Sequence, residues 1–225
     1  MSRPSPAGRG HASRPFAAAL AALARVYGRR RPSGDDQLDR IVLAVLAEEQ
    51  GERAAARLMG RYQDAFVDWN EVRVARPLDL AAIAPDAPAA RVKRMRNLLQ
   101  ALYEDLGGLS LMPLAGRRPA ELRAWLGRLE GVSREEIDAI LMAAFDVPVM
   151  PASESLAQVL RRLGLVSRRA TRAAAQRAAL RGLDPASYRT FYGLAVEHAA
   201  TICHAELPLC ARCRLRRLCR SRGAW

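Results

Sequence analysis

The sequence predicts an all-α protein, and three features support that fold class. Apolar residues recur every three or four positions along most of the chain, as they do on the buried face of a helix. Glycine, proline and aspartate separate these stretches where helices usually begin or end. No stretch shows the alternation of strands and helices that a parallel sheet requires, and no internal repeat is present.

The apolar spacing places ten helices in order. They cover residues 16–27, a segment opened by Ser33 or Asp35 and reaching 50, a segment ending near 62, 78–84, 91–106, a segment beginning at 119, 134–145, 153–163, 168–181 and 185–202. Trp69, Val72 and Val74 alternate, but this run is too short and too close to Pro77 to predict a strand. Residues 1–15 have too little apolar side chain to bury, which predicts a disordered basic tail.

Composition and charge limit the classes of protein to consider. Apolar residues make up 50% of the 225 residues, enough for a sizeable core in one domain or two small ones. No apolar run approaches the ~20 residues of a membrane span, so we expect a soluble intracellular protein. Lys and Arg total 36 against 23 acidic residues, a net charge of +13, and such a field attracts polyanions. A protein without a nucleic-acid role would carry the same excess of positive charge if its composition were generally biased towards Arg and Ala.

All four cysteines lie near the end of the chain with the spacing C-x6-C-x2-C-x5-C, at Cys203, Cys210, Cys213 and Cys219. Thiolates are good ligands for iron-sulfur clusters and for zinc. Zinc sites with four cysteines usually contain two Cys-x-x-Cys pairs, whereas this chain has one. Two disulfides are a further alternative, which the lack of an export signal disfavours because cytosolic thiols stay reduced.

A short glycine-containing segment, residues 129–133 with the sequence Leu-Glu-Gly-Val-Ser, separates two predicted helices. Such a turn can be a simple packing corner. Alternatively, its exposed backbone N–H groups can hold a phosphate at the start of the second helix, where the helix dipole also favours an anion. The residues of the turn alone leave both interpretations open.

The cysteine spacing resembles the cubane [4Fe-4S] loop of endonuclease III and the adenine glycosylases, in the helix-hairpin-helix DNA glycosylase superfamily. In that family the turn reads Leu-Pro-Gly-Val-Gly, which Leu129, Gly131 and Val132 match, as does Arg134 after it. Other similar segments are Leu43–Gln50, residues 163–165 and Glu197-His198-Ala199. The resemblance covers about residues 16–220.

This resemblance implies a fold, a cofactor and a partner. Residues 36–147 would form a six-helix barrel domain containing the helix-hairpin-helix, and residues 16–35 with 148–225 a [4Fe-4S] cluster domain. Double-stranded DNA would bind in the groove between them, where these enzymes flip a damaged base out of the duplex. The protein would be a monomer of base excision repair, in the cytoplasm at the nucleoid. The expected DNA contacts are Gln50, Gly131, Val132, Ser133, Arg134, Arg212, Arg214, Arg216 and Arg217.

The sequence departs from this family at the catalytic positions. Bifunctional members use a lysine to form a Schiff base with the sugar and an aspartate to stabilise the cationic sugar. The corresponding positions hold Glu135 and Ser153, and Lys93 is the only lysine of the chain. We therefore expect no lyase step of the family's kind. Ser133 replaces the second turn glycine, which together with Glu135 weakens phosphate binding there and shifts it towards the later arginines.

Three functions remain open from the sequence. The favoured one is an endonuclease III-like protein that binds damaged or distorted duplex DNA with little or no cleavage. The second is an active monofunctional glycosylase in which Glu135 or Glu154 supplies the missing carboxylate. The third is an iron-sulfur redox or interaction module whose DNA binding is incidental.

Overall fold

The computed structural model describes residues 12–28, 36–47, 51–129 and 132–222. Within these ranges the chain is helical and contains no strand, which confirms the predicted all-α class. The α-helices are α1 Arg14–Tyr27, α2 Gln37–Ala47, α3 Glu52–Ala65, α4 Trp69–Val74, α5 Pro77–Ile83, α6 Ala89–Leu106, α7 Pro119–Leu126, α8 Arg134–Ala144, α9 Glu154–Leu163, α10 Arg172–Gly182 and α11 Tyr188–Thr201. Short 3-10 helices form at Met112–Leu114, Pro185–Ser187 and Cys210–Arg212.

Several boundaries differ from those predicted. Helix α1 begins at Arg14, inside the segment expected to be a tail, because Pro15 suits the first turn of a helix. Residues 69–74 form α4, and the Asp68 side chain caps it by accepting a hydrogen bond from the Glu71 N–H at 2.9 Å. Helix α10 starts at Arg172, later than predicted, where the Thr171 hydroxyl caps it. Residues 1–11 of the tail and the proposed start of α2 at Ser33 or Asp35 lie outside the described residues.

The buried apolar side chains form two clusters. The first is made by residues between Leu38 and Val147, that is, by helices α2 to α8 and the segments that join and follow them. The second combines Phe16–Leu23 of α1 with residues between Met150 and Leu215. The chain therefore returns its first helix to pack with its last ones, and Phe16 lies so close to Gly182 that a Cβ there would stand 2.3 Å from the ring.

Helix α11 of the second cluster contacts α3 of the first, and Glu197 lies at this junction. Its carboxylate is 1% exposed and accepts a hydrogen bond from the Arg53 backbone N–H at 3.3 Å, in the first turn of α3. Gly51 precedes that helix with φ +79°, and a Cβ there would lie 2.7 Å from the carboxylate. Only glycine combines this backbone conformation with this close approach. The junction thereby fixes the start of α3 relative to α11.

Candidate nucleic-acid interface and cysteine centre

Helices α7 and α8 form the predicted hairpin, and the N-terminus of α8 is built around Ser133. The Ser133 hydroxyl accepts a hydrogen bond from the Glu136 N–H at 3.1 Å, and the Glu136 carboxylate accepts one from the Ser133 N–H at 2.7 Å. This reciprocal arrangement is a capping box. Two of the backbone donors that a phosphate would need are therefore already bound by the protein. The N–H groups of Arg134 and Glu135, the first two of the helix, have no intrahelical acceptor available to them.

The predicted DNA contacts divide into three groups. Ser133 and Arg134 are exposed at the start of α8, whereas Val132 is half-buried against the first core cluster. Gln50 and Gly131 lie outside the described residues. The remaining predicted contacts, Arg212, Arg214, Arg216 and Arg217, are all exposed in the segment that carries the cysteines.

Glu135 and Ser153, which stand at the two catalytic positions, both have structural partners. Glu135 in the first turn of α8 forms an ion pair with Arg172 at the start of α10. Ser153 is 6% exposed, and its hydroxyl caps α9 by accepting a hydrogen bond from the Leu156 N–H at 3.2 Å. Glu154 is exposed and pairs with Arg161 at 2.8 Å. The carboxylates suggested as replacements are thus each neutralised by an arginine.

A buried carboxylate that the sequence did not reveal lies one turn further along α8. Asp138 is 8% exposed, and its Oδ1 lies 2.6 Å from Arg123 Nη1 of α7 in an ion pair not aligned as a hydrogen bond. Gln176 of α10 approaches the other oxygen at 3.5 Å and donates to the Met150 carbonyl at 2.6 Å. Asp138 therefore ties α8 to both neighbouring helices.

All four cysteines are free thiols and line one cavity. The cavity lies between the end of α9, the end of α11 and the loop that follows, with Val159, Leu163, Ile202 and Leu215 among its apolar lining. Burial raises the pKa of the Cys203 and Cys213 thiols, so these thiols favour protonation unless a cation stabilises the thiolate. Among the described residues, no three Cys, His, Asp or Glu side chains converge as ligands of a single metal ion.

Two side chains from the helices hold this cavity in shape. Arg162 of α9 is 8% exposed and donates to the carbonyls of Cys203, His204 and Ala205 at 3.0, 2.6 and 2.6 Å. The same guanidinium lies 3.3 Å from the Cys203 sulfur. His198 of α11 lies 3.7 Å from the Cys213 sulfur and 2.8 Å from the Tyr27 hydroxyl, and burial lowers its pKa to about 4. His198 is therefore a neutral hydrogen-bonding group near pH 7.

Replacing Arg162 by lysine should lower the free energy of unfolding by roughly 2–4 kcal/mol. Lysine keeps the charge, but its single ammonium cannot span three carbonyls and a sulfur in the geometry of the planar guanidinium. Each abandoned buried carbonyl then costs about 1–3 kcal/mol. Urea unfolding followed by circular dichroism measures the change, with the exposed Arg212→Lys as the matched control. Coincident unfolding curves for Arg162→Lys and the unsubstituted protein would contradict the role given to this side chain.

Comparison with known proteins gives the fold its context. No family model matches the sequence. A Methanocaldococcus jannaschii protein provisionally named a DNA repair glycosylase is 26% identical over 134 residues, which cover 59% of this chain and 60% of that protein. A non-covalent endonuclease III–DNA complex superposes with a TM-score of 0.66 at 15% identity, covering 93% of this chain and 95% of that one. The chain has the endonuclease III fold.

Two further structures share the endonuclease III fold with this chain. A thermostable thymine-DNA glycosylase matches with a TM-score of 0.63 at 19% identity, over 93% of this chain and 95% of that one. The 3-methyladenine DNA glycosylase of H. pylori bound to 1,N6-ethenoadenine matches with a TM-score of 0.60 at 18% identity, over 82% and 96%. The predicted resemblance to the helix-hairpin-helix superfamily is confirmed at the level of the fold, over nearly the whole chain.

The described residues include no helix long and apolar enough to span a membrane.

Proposed function

We propose that this chain is a DNA-binding protein of base excision repair that recognises damaged or distorted duplex DNA and has no Schiff-base lyase activity. The duplex lies in the groove between two helical domains, residues 36–147 on one side and residues 16–35 with 148–225 on the other. The fold of DNA glycosylases, the net charge of +13 and the two core clusters support this assignment. The protein acts as a monomer at the nucleoid.

The proposed lack of Schiff-base lyase activity rests on one observation. The positions where the family has its lysine and aspartate hold an arginine-paired glutamate and a buried helix-capping serine. A carboxylate cannot form an imine with an abasic sugar, and a neutral hydroxyl cannot balance an oxocarbenium charge. The two other nearby carboxylates, Glu135 and Glu154, are each engaged in an ion pair, with Arg172 and Arg161 respectively. The chain therefore binds the lesion without the groups that cleave next to it.

We further propose that Cys203, Cys210, Cys213 and Cys219 hold a [4Fe-4S] cluster. The four thiols line a common cavity and form no disulfide. Zinc sites with four cysteines usually contain two Cys-x-x-Cys pairs, whereas this chain has one. A [4Fe-4S] cluster suits a ligand set that consists of sulfur alone. When bound, the cluster would cross-link the segment from Cys203 to Cys219 to itself and would supply a one-electron centre.

A cleavage panel on the iron-loaded protein tests the function. Duplexes with an abasic site, an oxidised pyrimidine, an alkylated adenine or no lesion are incubated with the protein, and strand breaks are measured with and without alkali. We expect tighter binding to lesion-containing than to intact duplex. In every lane the strand breaks should be no more frequent than in the same duplex treated without protein. Glu135→Gln should leave the affinity for DNA and the number of strand breaks unchanged, because this carboxylate pairs with Arg172 and is not expected to contact a substrate.

Release of a base that disappears in Glu135→Gln would instead establish the monofunctional glycosylase. Glu154→Gln is measured beside it, because Glu154 is the other arginine-paired carboxylate that could supply the missing charge, and Glu121→Gln is the control, because Glu121 also pairs with an arginine but has no part in this hypothesis. Equal, weak binding to all duplexes would favour the interaction-module alternative.

A further inference from the structure

His198, in the last turn of α11, contacts two of the four cysteines. Its carbonyl oxygen accepts the Cys203 backbone N–H at 2.7 Å, and its ring Nε2 lies 3.7 Å from the Cys213 sulfur. The residue is 3% exposed and lines the cysteine cavity. The backbone N–H of Leu215 also approaches the Cys213 sulfur. His198 is therefore placed to act on the cysteine centre from the side of α11.

The partner of the other ring nitrogen decides what His198 can offer to the sulfur. Nδ1 lies 2.8 Å from the Tyr27 hydroxyl. The Thr201 hydroxyl lies 3.2 Å from the same Tyr27 oxygen and donates its own proton to the Glu197 carbonyl at 2.7 Å. The imidazole nitrogen is both the nearer and the more basic of the two acceptors around Tyr27, so the Tyr27 O–H donates to Nδ1. In the neutral ring the proton then lies on Nε2, which faces Cys213.

Tyr27, the last residue of α1, is itself held in place from α3. Arg53 in the first turn of α3 donates from Nη2 to the Tyr27 carbonyl at 3.0 Å, and its guanidinium carbon lies 5.8 Å from the centre of the Tyr27 ring. The rings of Tyr27 and His198 meet edge to face, with their centroids 5.9 Å apart and an interplanar angle of 68°. Contacts among three helices, α1, α3 and α11, therefore fix the orientation of the His198 ring.

We propose that His198 donates an N–H···S hydrogen bond to Cys213 and thereby raises the reduction potential of the iron-sulfur centre, with Tyr27 fixing which ring nitrogen carries the proton. Hydrogen bonds to ligand sulfurs are among the features that set such potentials, because a donor stabilises the additional negative charge of the reduced state. A buried donor acts more strongly than an exposed one, because a hydrogen bond is stronger in a medium of low dielectric constant. The inference rests on the [4Fe-4S] cluster proposed above.

The test compares the reduction potentials of the full-length, cluster-loaded protein and its variants by voltammetry, in which the electrode supplies the electron. His198→Leu removes the ring N–H and should shift the reduction equilibrium about threefold to tenfold towards the oxidised form, which corresponds to about 30–60 mV for a one-electron couple. His198→Gln keeps a side-chain N–H and should recover most of that shift. Tyr27→Phe keeps the imidazole but frees it to turn, so it should lower the potential by less than His198→Leu does.

Tyr188→Phe is the matched control for Tyr27→Phe. Tyr188 belongs to the same core cluster, and its hydroxyl donates to the Leu180 carbonyl at 2.8 Å, away from the cysteines. This control should lose stability but keep the potential of the unsubstituted protein. Equal shifts in both phenylalanine variants would reflect a loosened core and would overturn the proposal. An unchanged potential in His198→Leu also overturns it, as do equal shifts in His198→Leu and His198→Gln, because the size of the ring and not its proton would then matter.

A second measurement applies if His198→Leu does not assemble the cluster. Pulsed EPR of the reduced protein with isotopically labelled histidine nitrogens should show a nitrogen weakly coupled to the cluster spin, from the His198 ring. This coupling should disappear in His198→Gln and persist in His204→Ala, which removes the histidine next to Cys203. A spectrum without a coupled nitrogen, or a coupling that is lost in His204→Ala, overturns the proposal.

Failure of this inference is distinguishable from failure of the proposed function. The potentials are measured without DNA, so a protein that binds no DNA still gives a result for His198. An iron-loaded protein whose potential is the same in all variants overturns the role of His198 alone. A protein that takes up no iron-sulfur cluster overturns this role together with the proposed cofactor, whatever its affinity for DNA.

Discussion

Cys203→Ser should abolish iron binding and lower the melting temperature by roughly 8–16 °C. The segment from Cys203 to Arg222 has one short 3-10 helix, and Leu215 is its only buried apolar side chain within the described residues. So little apolar burial cannot fix a loop of this length, and most of its stability must come from the cross-link that the thiolates make to the cluster. Loss of a metal centre costs more than about 4 kcal/mol, and each kcal/mol shifts the midpoint by about 2–4 °C in a chain of this size.

Iron analysis, visible absorbance and a thermal melt measure this effect. Leu207→Ser serves as the control, because Leu207 lies in the same loop with 82% of its surface exposed and should melt as the unsubstituted protein does. A Cys203→Ser protein with full iron and an unchanged melt would exclude this cysteine as a ligand. Purification of the unsubstituted protein with zinc in place of iron would refute the cluster itself.

The helices could be predicted where their pattern is local. Helix α6 has a clear apolar face and ends at Gly107, whose φ of 70° few other residues adopt, and both signals are visible in the sequence. Helix α4 was missed because its six residues are too few for a period to be recognised. It depends on a tertiary contact, the 2.6 Å hydrogen bond from the Trp69 indole to Asp39 of α2.

The candidate site likewise has features with a local sequence signal and features without one. The four cysteines could be found from their spacing, because ligands of one centre often lie close together in sequence. Arg162 could not, since its carbonyl partners lie some 40 residues away and a buried arginine has no local signature. The ion pair between Glu135 and Arg172 is equally non-local, joining residues 37 positions apart. Pairings of this kind are set by how helices pack, and helical periodicity does not encode them.

The unsubstituted protein should form no borohydride-trapped adduct with abasic duplex DNA, whereas Glu135→Lys/Ser153→Asp should form one. Lysine at position 135 supplies the amine, and Arg172 opposite it lowers the pKa of that amine and so increases its neutral, nucleophilic fraction. Aspartate at position 153 supplies the carboxylate and preserves the cap of α9, because aspartate caps helices as well as serine does. Trapped adduct should rise at least about 10²-fold, the smallest gain typical of a positioned acid–base group.

Denaturing gel electrophoresis of the trapped protein–DNA adduct is the measurement, and two variants serve as controls. Glu154→Lys places an amine on the exposed surface of α9 and should remain at background. Glu135→Lys alone should trap less than the double variant, because the cationic sugar then has no carboxylate beside it. An adduct formed by the unsubstituted protein would place the nucleophile at Lys93 or the N-terminal amine, and would show that imine chemistry does not depend on residue 135. Absence of adduct in the double variant would mean that residues 135 and 153 do not face one abasic sugar, and the alignment that places them at the catalytic positions would be wrong.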